Sequence, residues 1–435
     1  MLKINFGKCC VLTILFLNIV TSTTINESSI VRSTYTNNTR DKRSPNSDNT
    51  SPSVIDGSID AKVFGTDVDL GNQIIGPTGS LIIQDQVSSF AIADISCDKP
   101  YTPPKMPNFQ APGRRISEAR CFEYIYQLKV KDDLERRNQQ CNNNSPPNAD
   151  DSSRPERQVT IAVVGGQKAA PEEFAHMAAI GWLGVNEPIV FKCGGSLISP
   201  NFLLTAAHCR SSRPDTELTD LVPRMARIGG NNIGYKKSGE AFDDLRRRRQ
   251  TDSAQLDVGI VNIITHEQYD PNMQYFDIAL MQLAYSLDFS RKIKPACLWV
   301  DLQTSNRIRR AVASGWGVVN PSTGRTSLSL QAGELDIIDV NTCNELIRGK
   351  FGRKFNGFAE HQLCAGKLSG SVDVCQGDSG GPLQVKVKLP VSTIGNIHAI
   401  VGIISAGPDC GKPDMPGIYT RVASFIDWIE PKVWN

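Results

Sequence analysis

From Val163 onward the chain is made of short β-rich runs cut apart by turn residues. Cys193 to Ile198, Ala226 to Ile228, Val258 to Ile264, Ile278 to Leu283 and Ala399 to Ile404 alternate with turns of Gly, Pro, Asn and Asp. Many short strands with this punctuation predict an all-β sandwich or barrel. Near the end the period changes. Val422, Phe425, Ile426 and Ile429 fall at helical spacing, and Pro431 is expected to close that helix.

At 435 residues the chain exceeds one ordinary domain, and composition divides it. Residues 1–22 read as a secretory signal: Lys3 and Lys8, an apolar run from Cys9 to Leu17, then Thr21-Ser22. That run is too short to span a bilayer; an N-terminal anchor is the alternative. Residues 23–96 form a low-complexity pro-region, dominated to residue 60 by Ser, Thr, Asn and Asp and expected to stay disordered. Four glycosylation sequons, Asn26, Asn37, Asn49 and Asn143, lie upstream of Val163. Arg40-Asp41-Lys42-Arg43 reads equally as a furin-type processing site or a solvated charge cluster. Residues 97–162 form a cysteine-containing linker, with five prolines between 98 and 115 suggesting an extended connector. Twelve cysteines fit an oxidising compartment. A net charge of +2 argues against nucleic acid or an anionic membrane as the main partner.

Chemistry concentrates in three segments. Cys375-Gln376-Gly377-Asp378-Ser379-Gly380-Gly381-Pro382 sets a serine among glycines, which let the backbone turn tightly and bring its N–H groups close to a substrate. A serine hydroxyl is a weak nucleophile at neutral pH and needs a base. His208, in Leu204-Thr205-Ala206-Ala207-His208-Cys209, has the right intrinsic pKa, about 6.5. The imidazolium it would form calls for an oriented carboxylate, a role open to Asp277 in Phe276-Asp277-Ile278-Ala279-Leu280-Met281. A developing oxyanion would be received by the N–H groups of Gly377 and Ser379.

The order His208, Asp277, Ser379, with Val163-Val164-Gly165-Gly166, Ser314-Gly315-Trp316-Gly317 and Pro416-Gly417-Ile418-Tyr419-Thr420-Arg421-Val422, resembles the trypsin-like serine proteases across residues 163–435. Arg115-Ile116-Ser117-Glu118-Ala119-Arg120-Cys121 and His176-Met177-Ala178-Ala179-Ile180-Gly181-Trp182 resemble the secreted arthropod clip-module enzymes, the snake-like group in particular. A clip module needs six cysteines, and only three (Cys97, Cys121, Cys141) stand between the signal and Val163, so an intact one is not expected.

The resemblance implies two packed six-stranded antiparallel β-barrels with a C-terminal helix, preceded by a largely irregular propeptide. It implies disulfides Cys193–Cys209, Cys343–Cys364 and Cys375–Cys410. It also implies a tether from Cys297 to the propeptide through Cys121, leaving Cys97 with Cys141; a tether through Cys141 is the alternative. A further bridge of many relatives is absent, its positions being Ala311 and Val385. Asp373 matches the floor of the first specificity pocket, Gly407 and Gly417 its walls, and Ser405 a backbone station that aligns substrate. Cleavage after Arg or Lys follows, because a buried carboxylate demands a cation. Ala406 replaces an aromatic shelf, which leaves the extended specificity open. Activation in relatives frees an ammonium at the position of Val163, which pairs with Asp378. Here Ala162 precedes the cut, so the expected activator prefers small residues, or trims in stages after Arg154 or Arg157.

The function implied is a secreted zymogen of a serine endopeptidase in an extracellular cascade: immune melanisation, Toll-type signalling or clotting. Its expected partners are a protein substrate, an upstream activating protease and a serpin inhibitor. A digestive trypsin and a non-catalytic protease-fold cofactor are the alternatives. No cofactor or metal is called for, Gly229-Gly230 standing where some relatives carry calcium-binding acids. Arg246-Arg247-Arg248-Arg249 is either a solvated surface loop or an exosite for acidic protein or sulfated glycan.

Overall fold

Twelve strands account for the folding of nearly everything after Met177. β1 (Met177–Leu183), β2 (Ile189–Ser199), β3 (Phe202–Thr205), β4 (Met225–Ile228), β5 (Leu256–Thr265) and β6 (Ala279–Leu283) close into a barrel in the order β1-β2-β3-β6-β5-β4. β7 (Arg310–Gly315), β8 (Gln331–Ile338), β9 (Gln362–Gly366), β10 (Pro382–Lys388), β11 (Ile397–Ala406) and β12 (Gly417–Arg421) repeat that order as β7-β8-β9-β12-β11-β10. Pairing of β7 with β10 closes this second ring. All twelve ring pairings are antiparallel. The computed structural model describes residues 74–75, 81–82, 97–142, 162–234, 255–320, 323–389 and 395–435. The signal, the four sequons, Arg40–Arg43, Arg154, Arg157 and Arg246–Arg249 lie outside the described residues.

Aliphatic side chains, with Tyr419, fill the barrels. Ile180, Leu197, Leu203, Val258, Leu280 and Met281 are fully buried in the first, and Ala313, Leu335, Leu363, Ile400 and Tyr419 in the second. From Cys193 to Ser199, β2 is buried on both faces, one toward its own barrel and one toward the other. A Cβ on Gly194 would lie 3.2 Å from the Cα of Gly381, so the barrels meet backbone to backbone there. Ala311 and Val385 are both buried, on neighbouring strands flanking the Val312–Gln384 pair. Apolar packing thus occupies the place where many relatives carry a bridge.

Among the described residues three α-helices are longer than four residues: α1 (Ile116–Asn142), α2 (Val340–Leu346) and α3 (Ile426–Val433). Asp339 caps α2, its carboxylate accepting from the N–H groups of Asn341 and Thr342. Pro431 does not end α3. It sits inside the helix, which continues to Val433; a proline so near a C-terminus removes one hydrogen bond without breaking the last turn.

The segment ahead of the barrels is not irregular throughout, because α1 runs for 27 residues. Glu118 caps its start by accepting from the Arg115 N–H at 2.9 Å. Cys121, Phe122, Ile125, Leu128, Lys129, Asp132 and Asp133 recur at intervals of three and four and are buried. Three of these seven are charged, with Lys129 paired to Asp133 at 2.6 Å and Asp132 to Arg291, so no apolar period announces it. α1 packs on the second-barrel side. Ser117 donates through both N–H and hydroxyl to Glu430, at 2.9 and 2.8 Å. Trp434 donates to the Tyr124 hydroxyl, and Tyr124 meets Phe289 edge to face. Cys121 is bonded to Cys297, and Cys97 to Cys141. Among the described residues no helix is long and apolar enough to cross a membrane.

Candidate active site

β3 ends at Thr205 opposite Ala279, the first residue of β6. The single helical turn after β3 carries His208, and the residues just before β6 carry Asp277. Strand pairing therefore sets the two side by side, although 69 positions separate them. The Asp277 carboxylate meets the His208 Nδ1 at 2.7 Å with one oxygen and accepts the His208 backbone N–H at 2.9 Å with the other. Phe276, immediately before it, has φ of +53°, a left-handed conformation unusual for a bulky side chain. The turn is held by His361, whose Nε2 accepts the Phe276 N–H at 3.2 Å while the two rings stack at 4.2 Å.

The second barrel completes the hold on Asp277. Ser405, near the end of β11, donates its hydroxyl at 2.6 Å to the carboxylate oxygen that meets His208 Nδ1, and Thr420 of β12 donates to the Asp277 carbonyl at 2.8 Å. Ser405 thus has a side-chain contact beyond the backbone station expected of it. Nothing in the local sequence signals this, because the contact spans 128 positions.

Burial is the largest single influence on His208 and pulls its pKa down. The charge and hydrogen bond of Asp277 together outweigh it and hold the imidazole above its ordinary value. Burial likewise pushes Asp277 up, but His208 and the donors around it win and keep it below the usual carboxylate range. The pair is a buried carboxylate behind a partly exposed imidazole, an arrangement suited to accepting a proton.

Ser379 sits in a loop sewn to both barrels. Its carbonyl accepts from Gly194 of β2 at 2.8 Å, while Gly380 donates to Ile404 of β11 at 2.8 Å. The Cys193–Cys209 disulfide joins the residue before Gly194 to the residue after His208. One nitrogen of His208 lies within 4.8 Å of these sulfurs, and the Ser379 carbonyl lies 3.6 Å from the Cys209 sulfur. The histidine turn and the serine loop therefore meet across this bridge. Its two sulfurs are bonded to each other, so they offer no thiolate to a metal. Gly377 has φ of +100°, and a Cβ there would come within 2.9 Å of the Gly317 Cα. Among the described residues, no group accepts a hydrogen bond from the N–H of Gly377 or of Ser379.

Asp378 explains the Ser314-Gly315-Trp316-Gly317 motif. Its carboxylate accepts from the N–H of Gly317 at 2.7 Å and of Cys375 at 2.9 Å. A Cβ at Gly315 or Gly317 would overlap that carboxylate. Burial pushes Asp378 up to about 6, despite the two backbone donors. Ala162 and Val163 lie in a strand over Ala162–Lys168 that pairs with β8, Ala162 opposite Ala332. The peptide bond between them is intact, so Val163 offers no ammonium.

Asp373 is buried beside the loop closed by the Cys375–Cys410 disulfide. It accepts from the N–H of Gly411 and of Val374, at 2.9 and 2.8 Å, and burial pushes it up to about 6. Space around a Cβ on Gly407 is open to 4 Å, whereas one on Gly417 would touch the Tyr419 ring at 3.1 Å. The other bridge within the second barrel region, Cys343–Cys364, joins α2 to β9.

Comparison with known proteins agrees with this geometry. Residues 163–429 match the trypsin family. The chain belongs to that family. It is 37% identical over 274 residues to Serine protease snk of Drosophila melanogaster, covering 62% of this chain and 56% of that protein. It is 34% identical to Serine protease Hayan of the same organism, covering 63% of this chain and 40% of the relative. Clotting factor G beta subunit of Tachypleus tridentatus is 31% identical, with 63% of this chain and 80% of that protein covered. The chain thus spans about half the length of the first two relatives.

Proposed function

We propose that the chain is the secreted zymogen of a serine endopeptidase that cleaves after Arg or Lys. The observation that carries the reading is the Asp277–His208 pair, with Ser405 behind it and the Ser379 loop across the disulfide. In the proposed reaction His208 takes the Ser379 hydroxyl proton as the oxygen attacks a peptide carbonyl. Gly377 and Ser379 donate their N–H groups to the oxyanion. Losing one such donor costs roughly 3–4 kcal/mol in comparable enzymes. Asp277 fixes the imidazole tautomer and stabilises the imidazolium, which then protonates the leaving amine. Water repeats the sequence to release the acyl group.

Asp373 is proposed to receive the substrate guanidinium or ammonium. A carboxylate pushed up to about 6 by burial gains most from a cation that restores its charge. Ser405, Gly407 and Gly417 would line the approach, the open space at Gly407 leaving room for a long side chain. Asp378 is proposed as the activation switch: a cut between Ala162 and Val163 frees an ammonium that pairs with it and orders the oxyanion site.

In the proposed organisation residues 1–22 are the signal, 23–96 the glycosylated pro-region, 97–162 the linker carrying α1, and 163–435 the protease. The names of the relatives, which include Melanization protease 1 and a clotting factor subunit, support a place in an extracellular cascade. An activating protease would stand upstream of the enzyme, a protein substrate downstream, and a serpin against it. The test is to cut the purified chain, sequence the new N-terminus and assay peptides ending in Arg, Lys, Phe or Ala. Arg and Lys hydrolysis that starts only with an N-terminus at Val163 is expected; a different start, or preference for Phe or Ala, would overturn the reading.

A further inference from the structure

The loop after α2 carries Arg348, Lys350, Arg353 and Lys354 within seven residues, and no acid lies between Leu346 and Ala359. All four cations are exposed. Among the described residues none of the four side chains takes part in an ion pair. Elsewhere exposed cations commonly have acids beside them, as Arg224 has Asp220 and Arg310 has Glu334.

The loop is fixed beside the candidate active site. The Lys354 carbonyl accepts the Gln274 N–H at 3.0 Å. The Tyr275 hydroxyl accepts from the Asn356 N–H at 2.8 Å and donates to the Gly357 carbonyl at 2.9 Å. The Tyr275 ring stacks on Phe355 with centroids 6.0 Å apart, and Phe355 packs in turn against Phe351 and Phe358. Gln274 and Tyr275 lead directly into Phe276 and Asp277, and Asp277 holds Ser405 at the end of β11. The loop that carries the cations is therefore anchored to the segment leading into Asp277, on the Asp277–Ser405 side. There the family resemblance sets the substrate residues upstream of the cut. Ala406 itself offers that stretch no aromatic surface, and the four exposed cations supply charge beside it.

We infer that this basic loop selects protein substrates carrying acidic residues a few positions upstream of the scissile Arg or Lys. The inference rests on the endopeptidase reading. Exposed ion pairs contribute a few-fold each, so two or three acids should compound to about tenfold. Most of that would vanish at 0.5 M salt, where screening shortens the reach of exposed charges to a few ångströms.

The experiment compares the activated chain with the combined variant Arg348→Ser, Lys350→Ser, Arg353→Ser, Lys354→Ser. Two peptides ending in the same Arg, one with three upstream Asp or Glu residues and one with Gln in their place, are hydrolysed at 0.05 and 0.5 M salt. The parent is expected to favour the acidic peptide by about tenfold in kcat/KM at low salt, with the ratio near unity at high salt and in the variant. Because the readout is a ratio of two substrates, a general loss of activity cannot imitate it. In parallel, the fluorescence anisotropy of the labelled acidic peptide is titrated with Ser379→Ala chain bearing or lacking the four cations. Equal ratios in parent and variant, or equal affinities, would overturn the inference. So would a loop that governs retention on heparin without discriminating the peptides. Cation-dependent binding with no hydrolysis of either peptide would uphold the loop and count against the endopeptidase reading instead.

Discussion

Asp277 is the residue on which most of the site converges, and its surroundings set the pH behaviour. His208 must be neutral to act as base, and its folded pKa is raised above about 6.5. Activity should therefore fall on the acid side with a midpoint above that value. In Asp277→Asn the raising influences disappear and burial remains, so the midpoint should move below about 6.5. kcat should drop by about 10⁴, as in comparable triads. A pH–rate profile of both proteins checks this, and an unmoved midpoint would count against the pairing. Ser405→Ala removes a charge-assisted donor to Asp277 and should lower kcat/KM by about tenfold or more, such bonds being worth about 1.5–3 kcal/mol. Asp373→Asn should cost about 3–5 kcal/mol against Arg peptides, roughly 10²- to 10⁴-fold in kcat/KM, because a buried substrate cation would lose its partner. The His208–Asp277 contact and the Ser379 loop fall where the sequence motifs drew attention, each residue sitting in a motif of its own. The Ser405 hydroxyl and the His361–Phe276 stack were not legible in sequence: both are contacts between distant segments that leave no local pattern.

At the level of elements, the barrels were legible and α1 was not. Strands of four to eleven residues bounded by turn residues announce themselves. The α1 segment offers Phe122, Tyr124, Ile125 and Tyr126, which favour strands as readily as helices. The charged members of its buried stripe, Lys129, Asp132 and Asp133, find partners only in the folded molecule. In the proposed zymogen its docking would give the segment ahead of the protease a lasting role. After a cut at Ala162–Val163, α1 should stay attached through Cys121–Cys297 and its contacts with Glu430, Phe289 and Trp434. Non-reducing electrophoresis should show one species and reducing electrophoresis two. An N-terminal fragment released without reductant would contradict this arrangement.

Across the whole molecule, the junction of the barrels holds buried groups with opposed pH responses. His176, just before β1, and His398, in β11, lie with ring centroids 5.4 Å apart. Burial lowers both, His176 to about 4 and His398 well below the ordinary value, with Lys294 nearby adding to the effect on each and Lys386 to that on His398. The unfolded chain takes up these protons first, so each histidine removes up to about 1.4 kcal/mol of stability per pH unit below about 6.5. Asp373 and Asp378, raised to about 6, act the other way and gain stability on acidification. Comparing melting temperatures of the parent and His176→Leu/His398→Leu at pH 7.5 and 5 isolates the histidines, since the carboxylates are common to both. The variant should lose less on acidification, and an equal loss would refute the assignment.

The central claim is that Ser379 becomes a nucleophile activated by His208 once the chain is cut ahead of Val163. Fluorophosphonate labelling with mass spectrometry, on uncut and cut protein side by side, tests it most directly. Covalent label on the peptide containing Ser379 is expected in the cut form alone, and should be lost in His208→Ala. Equal labelling of both forms, or an unlabelled Ser379 in protein beginning at Val163, would contradict the account.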